Sequence, residues 1–154
     1  MVKDFGVTVH IDGGSRGNPG PAAAGVVVRA DDDGTILHES GSFLGRATNN
    51  VAEYNGLLVG LQQALALGAK RARVYSDSQL MVRQINGQYR VKNAGLRPLY
   101  NKALQLSRQF ESFSIDHVRR EQNAEADKLV NDALNAKASV GDPPVEEPSS
   151  DSLF

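Results

Sequence analysis

The chain has 154 residues, 40% of them hydrophobic and 6% aromatic, which suits one compact domain with a sizeable core. It contains no cysteine, which excludes disulfides, thiolate metal sites and a cysteine nucleophile, so any metal would be held by oxygen atoms or by the three histidines. The net charge of −1 hides a basic segment from Lys70 to Arg120, where eleven Lys and Arg residues stand against three acidic residues and could contact a polyanion. No apolar signal segment opens the chain, and no stretch approaches the roughly 20 apolar residues that cross a bilayer. We therefore expect a soluble cytoplasmic protein without a membrane partner.

Three strands are predicted in the first third of the chain. Residues 5–11 alternate apolar and polar side chains and are followed by Gly13-Gly14, which is typical of a strand with one apolar face. Residues 23–30 and 35–44 flank the turn sequence Asp31-Asp32-Asp33-Gly34, and this arrangement predicts an antiparallel hairpin.

The remainder of the chain predicts helices alternating with two more strands. Apolar residues recur at helical spacing from Asn50 to Leu67, and Gly68 ends that pattern. The later elements are predicted as a strand at 72–76, helices at 79–86 and 96–110, a strand at 113–117 and a last helix at 124–136. The order βββαβααβα predicts an α/β domain with a five-stranded mixed sheet flanked by helices.

The composition changes after Ala136. From Lys137 onward one lysine stands against four acidic residues, in a run rich in Pro and Ser with few large apolar side chains. Such a composition is typical of a disordered segment. We therefore divide the chain into a domain at 1–136 and a disordered acidic tail at 137–154.

Four acidic residues fall where predicted strands end or predicted helices begin. They are Asp12 after the first strand, Glu53 in the first turn of the long helix, Asp77 after the fourth strand and Asp127 in the first turn of the last helix. Such positions can converge on one spot. Glu53 shares a helical face with Gly56 and Gly60, which would let that face lie close against the sheet.

A cluster of four carboxylates makes physical sense chiefly around divalent cations, because without a counter-charge their mutual repulsion would raise their pKa values. Hard oxygen ligands favour magnesium or manganese. Two such ions about 4 Å apart can activate a water on one side of a phosphodiester and stabilise the leaving oxygen on the other. The alternative for each residue is that acids at helix starts complement the helix dipole and that Asp before a turn caps a strand. Spacing alone leaves both interpretations open.

Four segments, in this order and spacing, resemble the signature segments of type 1 ribonuclease H. They are Asp12–Ala22, Ala47–Tyr54, Ser76–Gln79 and Gln122–Asp127. The resemblance covers about residues 5 to 136 and implies a ribonuclease H-like fold. It also implies a magnesium-dependent endonuclease that cuts the RNA strand of an RNA–DNA hybrid, with manganese as a possible substitute, and leaves 5′-phosphate and 3′-hydroxyl ends.

The resemblance also implies roles for the individual carboxylates. Asp12 would bridge two magnesium ions, and Asp127 would be its partner on the ion that activates the attacking water. Glu53 and Asp77 would be the ligands on the leaving-group side.

Substrate contacts follow from the same resemblance. Amide side chains at such positions can hydrogen-bond 2′-hydroxyls and base edges, which distinguishes RNA from DNA. The implied contacts are Gly13, Gly14, Asn18, Thr48, Asn49, Asn50, Gln79, Lys92, Asn93 and Asn123. Some of these residues have simpler interpretations, since Thr48-Asn49-Asn50 is also a sound helix N-cap sequence and Gln79 could merely cap or solvate the next helix.

The sequence departs from the family pattern in two places. Many members carry a histidine in the loop before the last carboxylate, but that loop is Arg119-Arg120-Glu121-Gln122 here. Arg119, Arg120 or Glu121 could substitute for the histidine, while His10, His38 and His117 are interpreted as structural. The segment from Gly87 to Arg97 is also too short to hold the basic insertion of other members, although Lys92-Asn93 with Arg90 could contact DNA phosphates.

Two competing functions are compatible with the same sequence. Junction resolvases, transposases and reverse-transcriptase domains use related carboxylate clusters, and a non-catalytic hybrid-binding module is a further alternative. The four acids argue against the binding module, because they would repel phosphates unless a metal were recruited. We expect a monomer. The terminal Asp151–Phe154 faintly resembles short peptides that dock on replication proteins.

Overall fold

The structure is a computed structural model that describes residues 5–145. One mixed sheet of six strands has the order β5-β4-β1-β2-β3-β6. The strands are β1 (Gly6–Ser15), β2 (Gly20–Ala30), β3 (Ile36–Ala47), β4 (Arg71–Ser76), β5 (Ser112–His117) and β6 (Val140–Gly141). The helices are α1 (Asn49–Ala66), α2 (Gln79–Ile85), α3 (Arg97–Ser107) and α4 (Ala124–Ala136), with a 3-10 helix at Arg120–Asn123.

Strand β1 lies in the middle of the sheet and pairs with one antiparallel and one parallel neighbour. It runs antiparallel to β2 from Val7 to Ser15 and parallel to β4 from Gly6 to Ile11. Ile11 opposite Ser76 is the last parallel pair, so β1 and β4 separate just before Asp12 and Asp77. Asp12 and Asp77, which directly follow Ile11 and Ser76, therefore lie at the same end of these neighbouring strands.

The main core lies between the sheet and helix α1. Val7, Val9 and Ile11 are fully buried there, together with Leu57 and Leu61 of α1. Their alternation along β1 is the period of two that the sequence shows, because successive strand residues face opposite sides of a sheet. Asp12 faces the other side, as does its cross-strand partner Gly25.

Glycines set how closely the helices approach the sheet. A Cβ at Gly56 would lie 2.8 Å from the carbonyl oxygen of Asp12, and one at Gly60 would lie 2.9 Å from the side chain of Val9. On the opposite face, a Cβ at Gly25 would lie 2.3 Å from the carbonyl oxygen of Ala126 in α4. The close-packing role predicted for Gly56 and Gly60 is confirmed, and α4 makes a similar approach from the other side.

The predicted element order is confirmed, with changes in detail. Strand β1 extends through both glycines, which pair with Ala24 and Ala23, so Asp12 lies within the strand and not after it. Helix α1 begins at Asn49, which places Glu53 in its second turn and not in the first.

The predicted number of strands was one too low, because β6 lies in the stretch assigned to the tail. Val140 and Gly141 pair with Gly41 and Ser40 at the edge of β3. Val140 also packs on a small cluster formed by α4 and the sheet. The ordered domain thus continues beyond residue 136 to at least Val145, and the remaining tail residues, 146–154, lie outside the described residues.

Within residues 5–145, no helix combines the length and apolar character needed to cross a membrane.

Candidate active site

All four predicted carboxylates line one cleft of about 320 Å³ at the end of the central strands. The other residues of this cleft come from the end of β1, the β1–β2 turn, helix α1, the 3-10 helix and α4. They are Gly13, Gly14, Ser15, Arg16, Asn49, Arg120, Val130, Asn131 and Leu134. A larger hollow of about 670 Å³ lies at the opposite end of β1, around Phe5 and Gly6, and contains none of the predicted site residues. The carboxylate cleft is therefore the candidate active site.

Each carboxylate is positioned by a different element. Asp12 is on β1, Glu53 on α1, Asp77 follows β4, and Asp127 lies in the first turn of α4. Ser78, next to Asp77, caps α2 by accepting a hydrogen bond from the backbone N–H of Met81 at 3.2 Å. The same hydroxyl is hydrogen-bonded to the Glu53 carboxylate, so Glu53 is held by the residue that follows Asp77.

Burial and mutual repulsion raise the pKa of two carboxyl groups. Burial raises the pKa of Asp12 to about 8, and the charges of Asp77 and Asp127 add to the effect. Burial likewise raises the pKa of Glu53 to about 7, although the hydrogen bond from Ser78 opposes the shift. These are the shifts expected where carboxylates are gathered without a cation.

The donor set fits a divalent cation. Glu53 Oε2 is buried without a hydrogen-bond partner among the described residues, and Asp12 is only 7% exposed. Within residues 5–145, however, no three carboxylate or imidazole groups are grouped tightly enough to enclose an ion by themselves. Such an open arrangement suits magnesium, which keeps several waters and is commonly bound by one or two carboxylates together with substrate phosphates.

One arginine enters the carboxylate cleft. Arg120 Nε lies 3.8 Å from Asp77 Oδ2, and the positive charge of Arg120 opposes the rise in the pKa of Glu53. Its side chain is 83% exposed. Of the three residues predicted as substitutes for the loop histidine, Arg120 is the one that lines the cleft.

The predicted contacts next to the cleft are joined by hydrogen bonds. Asn49 Oδ1 accepts from the backbone N–H of Ser15 at 2.8 Å, and Asn18 Oδ1 accepts from the backbone N–H of Asn49 at 3.1 Å. Thr48 caps α1, since its hydroxyl accepts from the backbone N–H of Val51. The capping interpretation of Thr48 is thus confirmed, while its contact with a phosphate stays a prediction.

A second hollow contains three further predicted contacts. Asn50, Lys92 and Asn93 line it, together with Arg90 and Leu80. Asn93 uses its side-chain oxygen within the loop, where it accepts from the backbone N–H of Gly95 at 2.7 Å. Gln79 is exposed at the start of α2, whose cap is Ser78.

The side chain of Asn123 is buried and not accessible to a ligand. It is 1% exposed, and its Nδ2 donates to the carbonyl oxygen of Ile11 at 2.9 Å. This bond ties the start of α4 to β1, one residue before Asp12. The predicted substrate contact at Asn123 is therefore corrected to a positioning role, because the match of sequence segments could not show which side chains are buried.

Two histidines have partners that fit the structural interpretation. His38 is buried and lies 2.9 Å from Ser40 Oγ. The ring of His10 stacks on Tyr75, with 5.2 Å between ring centroids. His117 ends β5 and is exposed.

Three residues of the site were assigned no role from the sequence. Ser78 holds Glu53, Asn131 donates to the carbonyl oxygen of Asp127 at 3.1 Å, and Arg16 lines the cleft. A signal existed for Asn131, which follows Asp127 by four residues and hence shares its helical face. Ser78 and Arg16 lie within the family-like segments Ser76–Gln79 and Asp12–Ala22, but the resemblance assigned neither side chain a role of its own.

The mixed sheet and the carboxylates gathered at its central strands define an α/β protein of the ribonuclease H-like class. A family model described as reverse transcriptase-like matches residues 10–133. The bifunctional protein Rv2228c of Mycobacterium tuberculosis is 50% identical over 132 residues, which cover 86% of this chain and 36% of that protein. The solved N-terminal RNase H domain of Rv2228c superposes with a TM-score of 0.84 at 49% identity, covering 86% of this chain and 96% of that one.

Two further relatives support the same assignment. Ribonuclease HI of Halobacterium salinarum is 43% identical over 137 residues, which cover 88% of this chain and 68% of that protein. LC11-RNase H1, solved in complex with an RNA/DNA hybrid, is similar with a TM-score of 0.79 at 39% identity, covering 85% of this chain and 98% of that one. The chain belongs to the type 1 ribonuclease H family. It spans about a third of the length of the mycobacterial relatives that it matches.

Proposed function

We propose that this protein is an endoribonuclease that hydrolyses the RNA strand of RNA–DNA hybrids. The observation that carries the proposal is the convergence of Asp12, Glu53, Asp77 and Asp127, from four separate elements, on one cleft. Membership of the type 1 ribonuclease H family and the likeness to LC11-RNase H1 with its bound hybrid support the choice of substrate.

The four carboxylates would hold two divalent cations, magnesium or manganese. Such cations, when bound, activate a water and stabilise the leaving oxygen of a phosphodiester, which yields 5′-phosphate and 3′-hydroxyl ends. The raised pKa values of Asp12 and Glu53 support a cation at this place, because a positive charge would relieve the repulsion that raises them.

The remaining residues of the site would bind and orient the hybrid. The Asn49 side-chain oxygen accepts a hydrogen bond from the backbone N–H of Ser15. The side-chain NH2 of Asn49 is therefore left to donate to a 2′-hydroxyl or a base edge. Asn50, Lys92 and Asn93 lie together at a second hollow, where a basic and polar surface could receive the DNA strand. Gly13 and Gly14 line the cleft with backbone alone, so a phosphodiester meets no side chain there.

The test is cleavage of a labelled RNA–DNA hybrid beside matched RNA and DNA duplexes, with magnesium, manganese or chelator. We expect metal-dependent cutting of the RNA strand of the hybrid, and we expect Asp12→Asn to lower kcat by at least about 100-fold while hybrid binding persists. End-group analysis of the products distinguishes 5′-phosphate from 3′-phosphate ends.

Other outcomes would point to the competing functions. Cutting of branched DNA in preference to the hybrid would favour the junction-resolvase alternative. Hybrid binding by well-folded protein without cutting under any metal would favour the non-catalytic module.

A further inference from the structure

Arg16 lies at the rim of the carboxylate cleft, in the turn between β1 and β2. Its backbone N–H donates to the carbonyl oxygen of Pro21 at 2.8 Å, which fixes the turn. Its side chain is exposed and reaches across to helix α4, more than a hundred residues later in the chain. Arg16 also lines the cleft that contains Asp12 and Asp127.

Two amides of α4 hold the guanidinium. Arg16 Nη2 donates to Asn135 Oδ1 at 2.8 Å and to Asn131 Oδ1 at 3.4 Å. Asn131 and Asn135 are four residues apart and so share one face of the helix. Asn131 in turn donates to Asp127, at 3.1 Å to its carbonyl oxygen and 3.4 Å to Oδ2. A continuous series of side chains therefore links Arg16 to one of the four carboxylates.

The charge of Arg16 is not neutralised by these contacts. Both acceptors are uncharged amides, and among residues 5–145 no carboxylate lies within ion-pair distance of Arg16. In this respect it differs from Arg120, which lies near Asp77. The two contacts both use Nη2, so Nε and Nη1 keep their donors. The result is a full positive charge with free donors, held in place beside a cleft whose acidic residues repel phosphate.

We infer that Arg16 forms a phosphate subsite, which binds a backbone phosphate of the RNA strand next to the cleft. The inference rests on the proposed function, because it takes the hybrid as the ligand. A guanidinium presents planar donors that match two phosphate oxygens, and its anchoring by Asn135 and Asn131 reduces the side-chain freedom lost on binding. Arg16 thus contacts the substrate directly and fixes the strand relative to the carboxylates.

The experiment measures hybrid affinity over a range of salt concentrations, in an Asp12→Asn background that prevents cutting. We expect Arg16→Ala to weaken binding about 10-fold. We also expect it to lower the slope of log Kd against log salt by about one, because one phosphate contact is lost. Arg16→Lys should retain the slope but recover only part of the affinity, since an ammonium cannot make the paired contact.

Two further variants separate a phosphate contact from a general effect. Arg108→Ala removes another exposed positive charge, directly after α3. The chain then enters β5 at the end of the strands opposite to the cleft, so this variant should change neither affinity nor slope. Asn135→Ala removes the shorter anchor but leaves the bond between Asn131 and Asp127, and should weaken binding about 3-fold.

Neutral methylphosphonate linkages, placed one at a time along the RNA strand, locate the subsite. The Asp12→Asn protein should lose affinity when any of several linkages is neutralised. The protein that also carries Arg16→Ala should be insensitive to one of these linkages, because it no longer makes that phosphate contact. If Arg16→Ala matches its parent in affinity, salt slope and sensitivity to every linkage, while native protein still cuts the hybrid, the subsite is disproved and the proposed function stands. If native protein neither binds nor cuts the hybrid, the proposed function fails and the subsite with it.

Discussion

At the scale of single residues, the carboxyl groups of Asp12 and Glu53 are the ones most affected by the fold. Each is largely buried beside other acids, and each has a pKa raised into or above the neutral range. A raised pKa means that the folded state binds the proton more tightly than the unfolded state. Without a cation, the ionisation of these groups therefore opposes folding.

The stability of the metal-free protein should fall as the pH rises. The stabilisation from protonated Glu53 and Asp12 is fully present below about pH 4. It is lost as the pH rises through their folded pKa values, about 7 for Glu53 and about 8 for Asp12. We expect the free energy of unfolding in chelator to decrease between pH 7 and pH 9, a window above the ordinary pKa of histidine. Urea unfolding at a series of pH values measures this decrease.

Asp12→Asn provides the control, since it removes one of the two groups and the repulsion it exerts. At pH 9 in chelator it should raise the free energy of unfolding by at least about 1 kcal/mol, whereas Asp116→Asn on β5 should not. Magnesium should stabilise the native chain at pH 9 more than it stabilises the variant. Equal pH profiles for the native chain and Asp12→Asn would contradict the assignment of the shift to Asp12.

Arg120 provides a second test at this scale. Because it lies near Asp77 and lines the cleft, Arg120→Ala should lower kcat about 10-fold, with a smaller effect on KM. Arg119→Ala removes the neighbouring charge and should leave kcat within about 2-fold. Steady-state cleavage of the hybrid measures kcat for both variants. Equal turnover by the two variants would show that Arg120 has no specific role in catalysis.

At the scale of elements, the site depends on how closely α1 approaches β1. A Cβ at Gly13 would lie 2.3 Å from the backbone of α1 at Ala52, and one at Gly56 would lie 2.8 Å from the carbonyl oxygen of Asp12. These two glycines allow the backbones of helix and strand to touch. The position of Glu53 relative to Asp12 follows from that contact.

Gly56→Ala tests this dependence. The added methyl group has backbone as its nearest neighbour, so α1 must move, and we expect a loss of about 1–3 kcal/mol in the free energy of unfolding despite the better helix propensity of alanine. Hybrid cleavage should fall as well, because the helix carries Glu53. Gln62→Ala, on the exposed side of α1, should change stability by less than about 0.5 kcal/mol. Normal stability and activity in Gly56→Ala would show that the helix has room to adjust.

At the scale of the whole molecule, the segment after α4 closes the edge of the sheet. Ser139 Oγ accepts from the backbone N–H of Phe43 at 3.1 Å, and the backbone N–H of Asp142 donates to the carbonyl oxygen of Glu39 at 2.8 Å. Further on, the backbone N–H of Val145 donates to Gln63 Oε1 of α1 at 2.5 Å. The segment thus joins α4, β3 and α1, and it covers part of an edge that would otherwise be open for pairing.

Truncation tests the contribution of this segment. A chain ending at Lys137 loses β6 and the contacts of Ser139, Asp142 and Val145, and we expect its free energy of unfolding to fall by about 2 kcal/mol. A chain ending at Val145 keeps all of those contacts and serves as the comparison. Denaturant unfolding of the two chains measures the difference, and equal stability would show that β6 is dispensable.

The sequence by itself determined the order of the strands and helices from β1 to α4 and the identity of the four carboxylates. Helix α4 lies where the pattern predicted it, because the period of apolar residues and the flanking turn residues are local properties. The family segments around Asp12, Glu53, Asp77 and Asp127 predicted one cluster, and the cleft confirms that these residues converge. Local pattern also predicted that Gly56 and Gly60 would face the sheet.

Only the tertiary structure decided the features that depend on distant partners. Strand β6 escaped prediction because a two-residue strand has no period of its own and forms only against β3. The burial of Asn123 and the anchoring of Arg16 by Asn131 and Asn135 join positions about 110 to 120 residues apart in the chain, and no local pattern encodes such pairs. The raised pKa values of Asp12 and Glu53 likewise arise from burial and neighbouring charge, which exist only once the four elements have packed together.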